Sequence, residues 1–130
     1  AMCWYGNNTS NKTLYGGMYN WYAVNTNKLC PTGWHVPSDN EWKQLEKFLG
    51  MTQTEADDTE FRGTDEGGKL KETGTTHWTT PNTGATNESG FTALPGGFRS
   101  MVGGNFVAIG LESYFWSSTS KTDIEAWSVA

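Results

Sequence analysis

The sequence predicts a small, loop-rich α+β domain, and three observations support that prediction. The chain has 130 residues, a length that suits one domain with a real core. Its 16 glycines, together with frequent Asn, Thr and Ser, favour turns over long helices. Hydrophobic residues make up only 35% of the chain, so the core has to draw on seven Trp, five Tyr and six Phe. Each buried aromatic side chain removes about 150–250 Å² from water, so a few are enough.

The clearest predicted element is a helix between Pro37 and Gly50. Ser38 followed by Glu41 is a capping box, in which each residue bonds to the backbone N–H of the other. Pro37 cannot extend a helix backwards, and Gly50 suits the position just past a helix end. The apolar stripe expected to face the core consists of Trp42, Leu45, Phe48 and Leu49.

The remaining segments are predicted as short elements and loops. Residues 7–12 form a polar turn, and residues 15–23 suit either a helix or a strand, because so short a run has no decisive period. The polar and acidic residues 51–68 predict a long loop, and the last third predicts short strands. The tryptophans expected in the core are Trp4, Trp21, Trp34, Trp42 and Trp116, whereas Trp127 has no clear assignment.

The charge of the chain disfavours two classes of partner. The net charge is −5, and there is no run of Lys or Arg. Nucleic acids and anionic membranes both need a cationic footprint, so neither is expected to bind. No apolar run approaches the roughly 18 residues that span a bilayer, and no signal peptide is recognisable. Ala1-Met2 reads as an added start, so a native leader is expected to have been removed.

The two cysteines, Cys3 and Cys30, allow two interpretations. A pair fits one disulfide and an oxidising compartment. The alternative is two buried thiols, and the count alone does not decide between them.

Five motifs in this order resemble a known family: YGGMYNWYAV, LCPTGWHVPSDNEW, GGKLKETGTTHW, NESGFTALPGGFRS and SYFWSST. They are similar to the Fibrobacter succinogenes major paralogous domain, which occurs in secreted and surface proteins of Bacteroidetes and Fibrobacteres. The resemblance implies one domain over residues 1–130, located outside the cell or on its outer surface as part of a secreted protein or lipoprotein. GWHVPSDNEW is also similar to a segment of the formylglycine-generating, sulfatase-modifying enzymes. That similarity implies a C-type-lectin-like fold, with the capped helix packed on a twisted antiparallel sheet.

Two departures from the related proteins shape the expectations. Family members continue into a strand with a Ser-Val-Arg-Cys motif, whereas this chain stops at Ala130, so the strand is expected to be absent and a sheet edge open. An open edge is a template for another strand, so self-association is expected. The alternative is that the chain is a truncated fragment. The related enzymes use a late pair of cysteines that bind copper, and here no cysteine follows Cys30. We therefore expect no catalytic residues.

Metal binding is a weaker expectation. Calcium takes carboxylate, amide and carbonyl oxygens from loops, and Asn82, Asn87 and Glu88 form an oxygen-rich set of that type. Five acidic residues of the 51–68 segment do not follow the order of an EF-hand and are expected to be solvated: Asp57, Asp58, Glu60, Asp65 and Glu66. No other cofactor is expected.

The expected ligand-binding residues are Trp78, Arg99, His77 and Asn82. Sugar rings stack on exposed aromatic faces while polar side chains read their hydroxyls, and Trp78 stands in a polar, loop-like context. A core role for Trp78 is the alternative. The predicted function is a non-catalytic extracellular binding or adhesion module, for carbohydrate or a surface protein. The alternative is a display or spacer domain without a ligand, which gains if Trp78 and Arg99 are engaged internally.

Overall fold

The computed structural model describes residues 1–121 and the backbone of residues 126–129. The chain is α+β, with short helices and short antiparallel strands arranged in two compact units. We call residues 1–39 and 95–130 the terminal unit and residues 40–94 the central unit. Among the described residues, no helix has the length and apolar character that crossing a membrane requires.

The described residues of the terminal unit form six strands that pair into two-stranded antiparallel sheets, β1 with β2, β3 with β4 and β5 with β6. Their bounds are β1 Met2–Cys3, β2 Met18–Tyr19, β3 Phe98–Arg99, β4 Phe106–Val107, β5 Phe115–Ser120 and β6 Ala126–Val129. The expectation of one twisted sheet is therefore wrong for the described strands, which form three separate pairs. Most of these strands are only two residues long because glycines and polar turns interrupt the apolar runs.

Two short helices of the terminal unit start at asparagine caps. Helix α1 is Thr9–Tyr15 and helix α2 is Trp21–Val24. The Asn8 side chain accepts from the Ser10 N–H at 2.9 Å, and the Asn20 side chain accepts from the Ala23 N–H at 3.1 Å. Each cap satisfies a backbone donor that the helix leaves free. The predicted polar turn is thus largely helix, and the ambiguous run 15–23 contains both a strand and a helix.

The core of the terminal unit forms where α2 meets β5. Trp21 and Val24 are buried. The Trp116 ring lies 6.2 Å from the Trp21 ring, and its indole N–H donates to the Tyr19 carbonyl at 2.7 Å. The core role predicted for Trp21 is confirmed, while Trp116 is half-buried. Trp127 lies in β6, whose side chains are outside the described part of the chain.

The central unit contains most of the predicted helix, α3 (Asp39–Phe48), followed by α4 (Gln53–Ala56) and α5 (Glu66–Leu70). Helix α3 begins directly after Ser38, as the capping signal predicts. Its inward face is formed by Trp42, Leu45, Glu46 and Leu49. These four positions lie within an arc of roughly 100°, and Phe48 falls about 60° beyond its edge. Phe48 is accordingly exposed, so its predicted place in the core is wrong.

The acidic segment 51–68 is ordered, and its prediction as one long loop is wrong. Thr52 and Glu55 form a capping box that starts α4, with the Thr52 N–H donating to the Glu55 carboxylate at 2.7 Å. The Thr52 hydroxyl and N–H both donate to this carboxylate and lower the pKa of Glu55. Later in the segment, Arg62 Nη2 donates to Oε1 of the buried Glu46 at 3.2 Å. The same nitrogen lies 2.9 Å from Glu46 Oε2, which is an ion-pair contact without hydrogen-bond geometry.

Trp34 departs most from its predicted place in the core. Trp34 ends a tight turn in which its backbone N–H donates to the Pro31 carbonyl at 3.0 Å. Its side chain is 77% exposed. The turn directs the chain toward α3 without placing the indole in the core.

Candidate functional site

Three of the four predicted ligand-binding residues lie in one loop of the central unit, residues 71–82, which we call the 71–82 loop. It follows α5 directly. Lys71 forms a parallel bridge with Ala93, and the Glu72 N–H donates to the Ala93 carbonyl at 3.1 Å. These bonds fasten the start of the loop to residues far along the chain.

Trp78 is the most buried of the predicted ligand-binding residues, with 6% of its side chain exposed. Its indole N–H donates to the Ala93 carbonyl at 3.0 Å. The Lys71 ammonium lies over the ring, 4.2 Å from its centroid. A cation over an indole face is attracted by the ring quadrupole. The N–H and one face of Trp78 are therefore engaged within the central unit.

His77 and Asn82 close the same loop with polar contacts. His77 Nδ1 lies 2.9 Å and 2.8 Å from the two carboxylate oxygens of Glu72. A carboxylate only accepts, so Nδ1 carries the proton in this contact. The Asn82 amide donates to the Glu72 carbonyl at 3.0 Å and to the Gly74 carbonyl at 2.6 Å. Asn82 Oδ1 is buried without a hydrogen-bond partner in the described part of the chain.

The predicted calcium set has different partners in the structure. Asn87 and Thr92 bond reciprocally: Thr92 N–H donates to Asn87 Oδ1 at 2.8 Å, and Asn87 Nδ2 donates to Thr92 Oγ1 at 2.9 Å. Glu88 is exposed and Asn82 belongs to the 71–82 loop. Among the described residues, no group of three or more His, Cys, Asp and Glu is placed to hold a metal ion. The Asn82, Asn87 and Glu88 site stays a prediction.

Arg99, the fourth predicted ligand-binding residue, belongs to β3 of the terminal unit. Its Nε–H donates to the Gly104 carbonyl at 2.9 Å, and its guanidinium lies 5.3 Å from the centroid of the Phe106 ring. Both contacts are within the β3–β4 hairpin. Arg99 therefore orders its own hairpin while remaining exposed.

The predicted disulfide is not formed in this structure. Cys3, in β1, and Cys30, in the loop after α2, are both free thiols and both half-buried. This is the alternative that the cysteine count left open.

The sequence alone did not indicate several residues that matter here. Lys71 and Glu72 are the direct partners of Trp78 and His77, and nothing in their local pattern marks them. Trp34 is a large exposed aromatic residue. The Pro-Thr-Gly-Trp turn that it ends was the available signal of its exposure. Turn residues sit at the surface because a buried loop would leave its backbone polar groups unsatisfied.

Comparison with known proteins places the whole chain in one family. Searches of curated proteins and of solved structures returned no significant match. The model of the Fibrobacter succinogenes major domain matches residues 1–130. The match covers every residue, including the 71–82 loop, both cysteines and the capped helix. The chain therefore belongs to the Fibrobacter succinogenes major domain family.

Proposed function

We propose that this chain is a non-catalytic, C-type-lectin-like binding module that acts outside the cell and recognises carbohydrate through Trp34. The supporting observation is the exposure of Trp34, which is 77% exposed at the end of a hydrogen-bonded turn. Phe48 and Phe61 are also exposed, but among the tryptophans whose side chains the structure describes Trp34 alone is exposed. The short antiparallel strands and long loops are consistent with a lectin-like architecture.

The chemistry of an exposed indole suits a sugar. The ring offers a flat apolar face that can cover the C–H face of a pyranose, and its N–H can donate to a hydroxyl. His35, exposed next to Trp34 in the chain, is a polar neighbour of a kind that can contact hydroxyls. The indole would also suit a surface protein, because tryptophan often anchors protein interfaces. We favour carbohydrate because one flat ring on a loop is enough to stack a sugar.

We infer a scaffold role for the residues predicted to bind ligand. The Trp78 indole N–H, His77 Nδ1 and Arg99 Nε have internal partners at 2.8–3.0 Å. Breaking those contacts to bind a ligand would leave partners such as the Ala93 carbonyl with fewer hydrogen bonds. These contacts support a recognition surface at Trp34, while ligand binding by Trp78, His77, Asn82 and Arg99 stays a prediction.

A glycan array tests the proposal. The chain and two variants are screened with calcium and with a chelator: Trp34→Ala, and Tyr22→Ala as a matched exposed aromatic in the same unit. We expect saturable binding that Trp34→Ala abolishes and Tyr22→Ala retains. Equal binding by both variants would contradict the role of Trp34. Loss of binding on chelation would show that a divalent cation takes part in binding.

A display or spacer domain without a ligand of its own is the second candidate. The observation in its favour is the internal engagement of both Trp78 and Arg99. A correctly folded chain that binds nothing on the array would favour this function over the first.

A further inference from the structure

We infer that copies of this chain associate, with a hairpin of one copy docking on an acidic loop of another. The docking element is the hairpin tip, residues 99–105, in the terminal unit. The receiving surface is the Phe61 loop, residues 57–62, in the central unit. The inference goes beyond the proposed function and uses neither Trp34 nor a glycan.

The hairpin tip presents two apolar side chains on an ordered frame. Met101 and Val102 are 103% and 85% exposed. The Ser100 N–H donates to the Asn105 carbonyl at 2.8 Å, and the Val102 N–H donates to Ser100 Oγ at 3.1 Å. A tip held by its own hydrogen bonds loses little conformational entropy on binding. The backbone that carries these two exposed apolar side chains is therefore preorganised for binding.

The charge of the hairpin differs from that of the rest of the chain. Residues 89–111 contain no Asp or Glu, and Arg99 is their single charged residue, although the chain as a whole has a net charge of −5. The bond from Arg99 Nε to the Gly104 carbonyl, at 2.9 Å, holds the guanidinium beside the tip. The hairpin thus combines an apolar end with a fixed positive charge.

The Phe61 loop has the complementary character. Phe61 is 95% exposed. Within residues 57–62, Asp57, Asp58 and Glu60 are acidic and Arg62 is basic. Asp57 is paired with Lys43 at 2.9 Å, and Arg62 is directed to a buried glutamate with only 14% of its side chain exposed. Asp58 and Glu60 are exposed and precede Phe61 in the chain, so they give the loop a negative charge.

Both surfaces expose apolar side chains, and their charges are opposite. Opposite charges favour the encounter of the two surfaces and fix their orientation. The contact area is small, so we expect weak association, with a Kd on the order of 0.1 mM. The expected open sheet edge is not needed for this contact.

Analytical ultracentrifugation of the whole chain tests the apolar part. We expect the average mass to rise with protein concentration and to fall toward the monomer at high salt. Met101→Ser combined with Val102→Ser, or Phe61→Ser alone, should raise the Kd at least about tenfold. Leu111→Ser and Phe48→Ser change exposed apolar residues outside the two surfaces and should leave the Kd unchanged.

Charge reversal tests the pairing itself. Arg99→Glu makes the hairpin tip negative, and Asp58→Lys with Glu60→Lys makes the Phe61 loop positive. Each variant alone should be monomeric, because like charges then face each other. Their mixture should associate, because both possible contacts are again of opposite charge. Far-UV circular dichroism and melting temperature establish that each variant is folded.

Three results would overturn the inference. The first is a native chain that is monomeric at every concentration up to about 1 mM. The second is association that the Met101 and Val102 changes leave intact. The third is a mixture of folded charge variants that does not associate. A negative glycan array would contradict the proposed function and leave these measurements unaffected.

Discussion

Replacing Trp78 by alanine is expected to destabilise the chain by about 3–5 kcal/mol, the range for removing a large buried aromatic side chain. Trp78 is 6% exposed, donates to the Ala93 carbonyl at 3.0 Å and carries the Lys71 ammonium 4.2 Å from its ring centroid. Trp78→Phe keeps an aromatic face for the lysine and removes the indole donor. The Ala93 carbonyl retains the Glu72 N–H at 3.1 Å, so this change should cost only about 1–2 kcal/mol.

Urea denaturation followed by far-UV circular dichroism gives the free energy of unfolding for each variant. Trp34→Ala is the control, because a change at an exposed side chain typically alters stability by no more than about 0.5 kcal/mol. The expected order of stability is native and Trp34→Ala together, then Trp78→Phe, then Trp78→Ala. If Trp78→Ala were as stable as the native chain, Trp78 would not be a core residue and the scaffold role of the 71–82 loop would be refuted.

Three further predictions concern the central unit. A Cβ at Gly68 would overlap the Gly84 carbonyl oxygen, whereas one at Gly67 meets nothing within 4 Å. Gly68→Ala should therefore lower the melting temperature and Gly67→Ala should preserve or raise it, and equal effects would contradict the packing. Arg62→Met leaves the charge of the buried Glu46 uncompensated and should lower the free energy of unfolding by about 3–5 kcal/mol. Urea denaturation measures this loss, and an unchanged midpoint would contradict it. The depressed pKa of Glu55 stabilises the fold above the unfolded pKa, and this contribution is lost as the pH falls through the lower folded value. Carboxyl NMR titration should place its midpoint below that of an ordinary glutamate, and an ordinary midpoint would contradict the capping geometry.

Helix α3 could be predicted because its signals are local. A capping pair, a preceding proline and a following glycine all lie within about four turns of one another, and each acts through the backbone next to it. Its inward face could not be predicted fully. Glu46 is buried because Arg62, 16 residues later, supplies a charge 2.9 Å from its carboxylate. Phe48 is exposed because it lies about 60° beyond the edge of that inward face.

The candidate site could also be predicted only in part, because its contacts join residues that are distant in the sequence. His77, Trp78 and Asn82 could be selected from sequence because a polar loop with an aromatic residue is a common ligand-binding pattern. Their internal contacts depend on the Ala93 carbonyl and on Glu72, which chain folding brings close. Trp34 was assigned to the core because tryptophan is usually buried, but a turn places it in solvent. Burial of a single aromatic residue is decided by tertiary packing, which local pattern does not contain.

The most direct test of the proposed function is an NMR titration of the indole N–H signals with the carbohydrates that bind on the array. The seven tryptophans give separate reporters within one experiment. We predict that the Trp34 signal shifts saturably with sugar concentration while the Trp78 signal stays in place, because its N–H is held by the Ala93 carbonyl. A saturable shift of Trp78 with no change at Trp34 would contradict the proposal and return the binding site to the 71–82 loop.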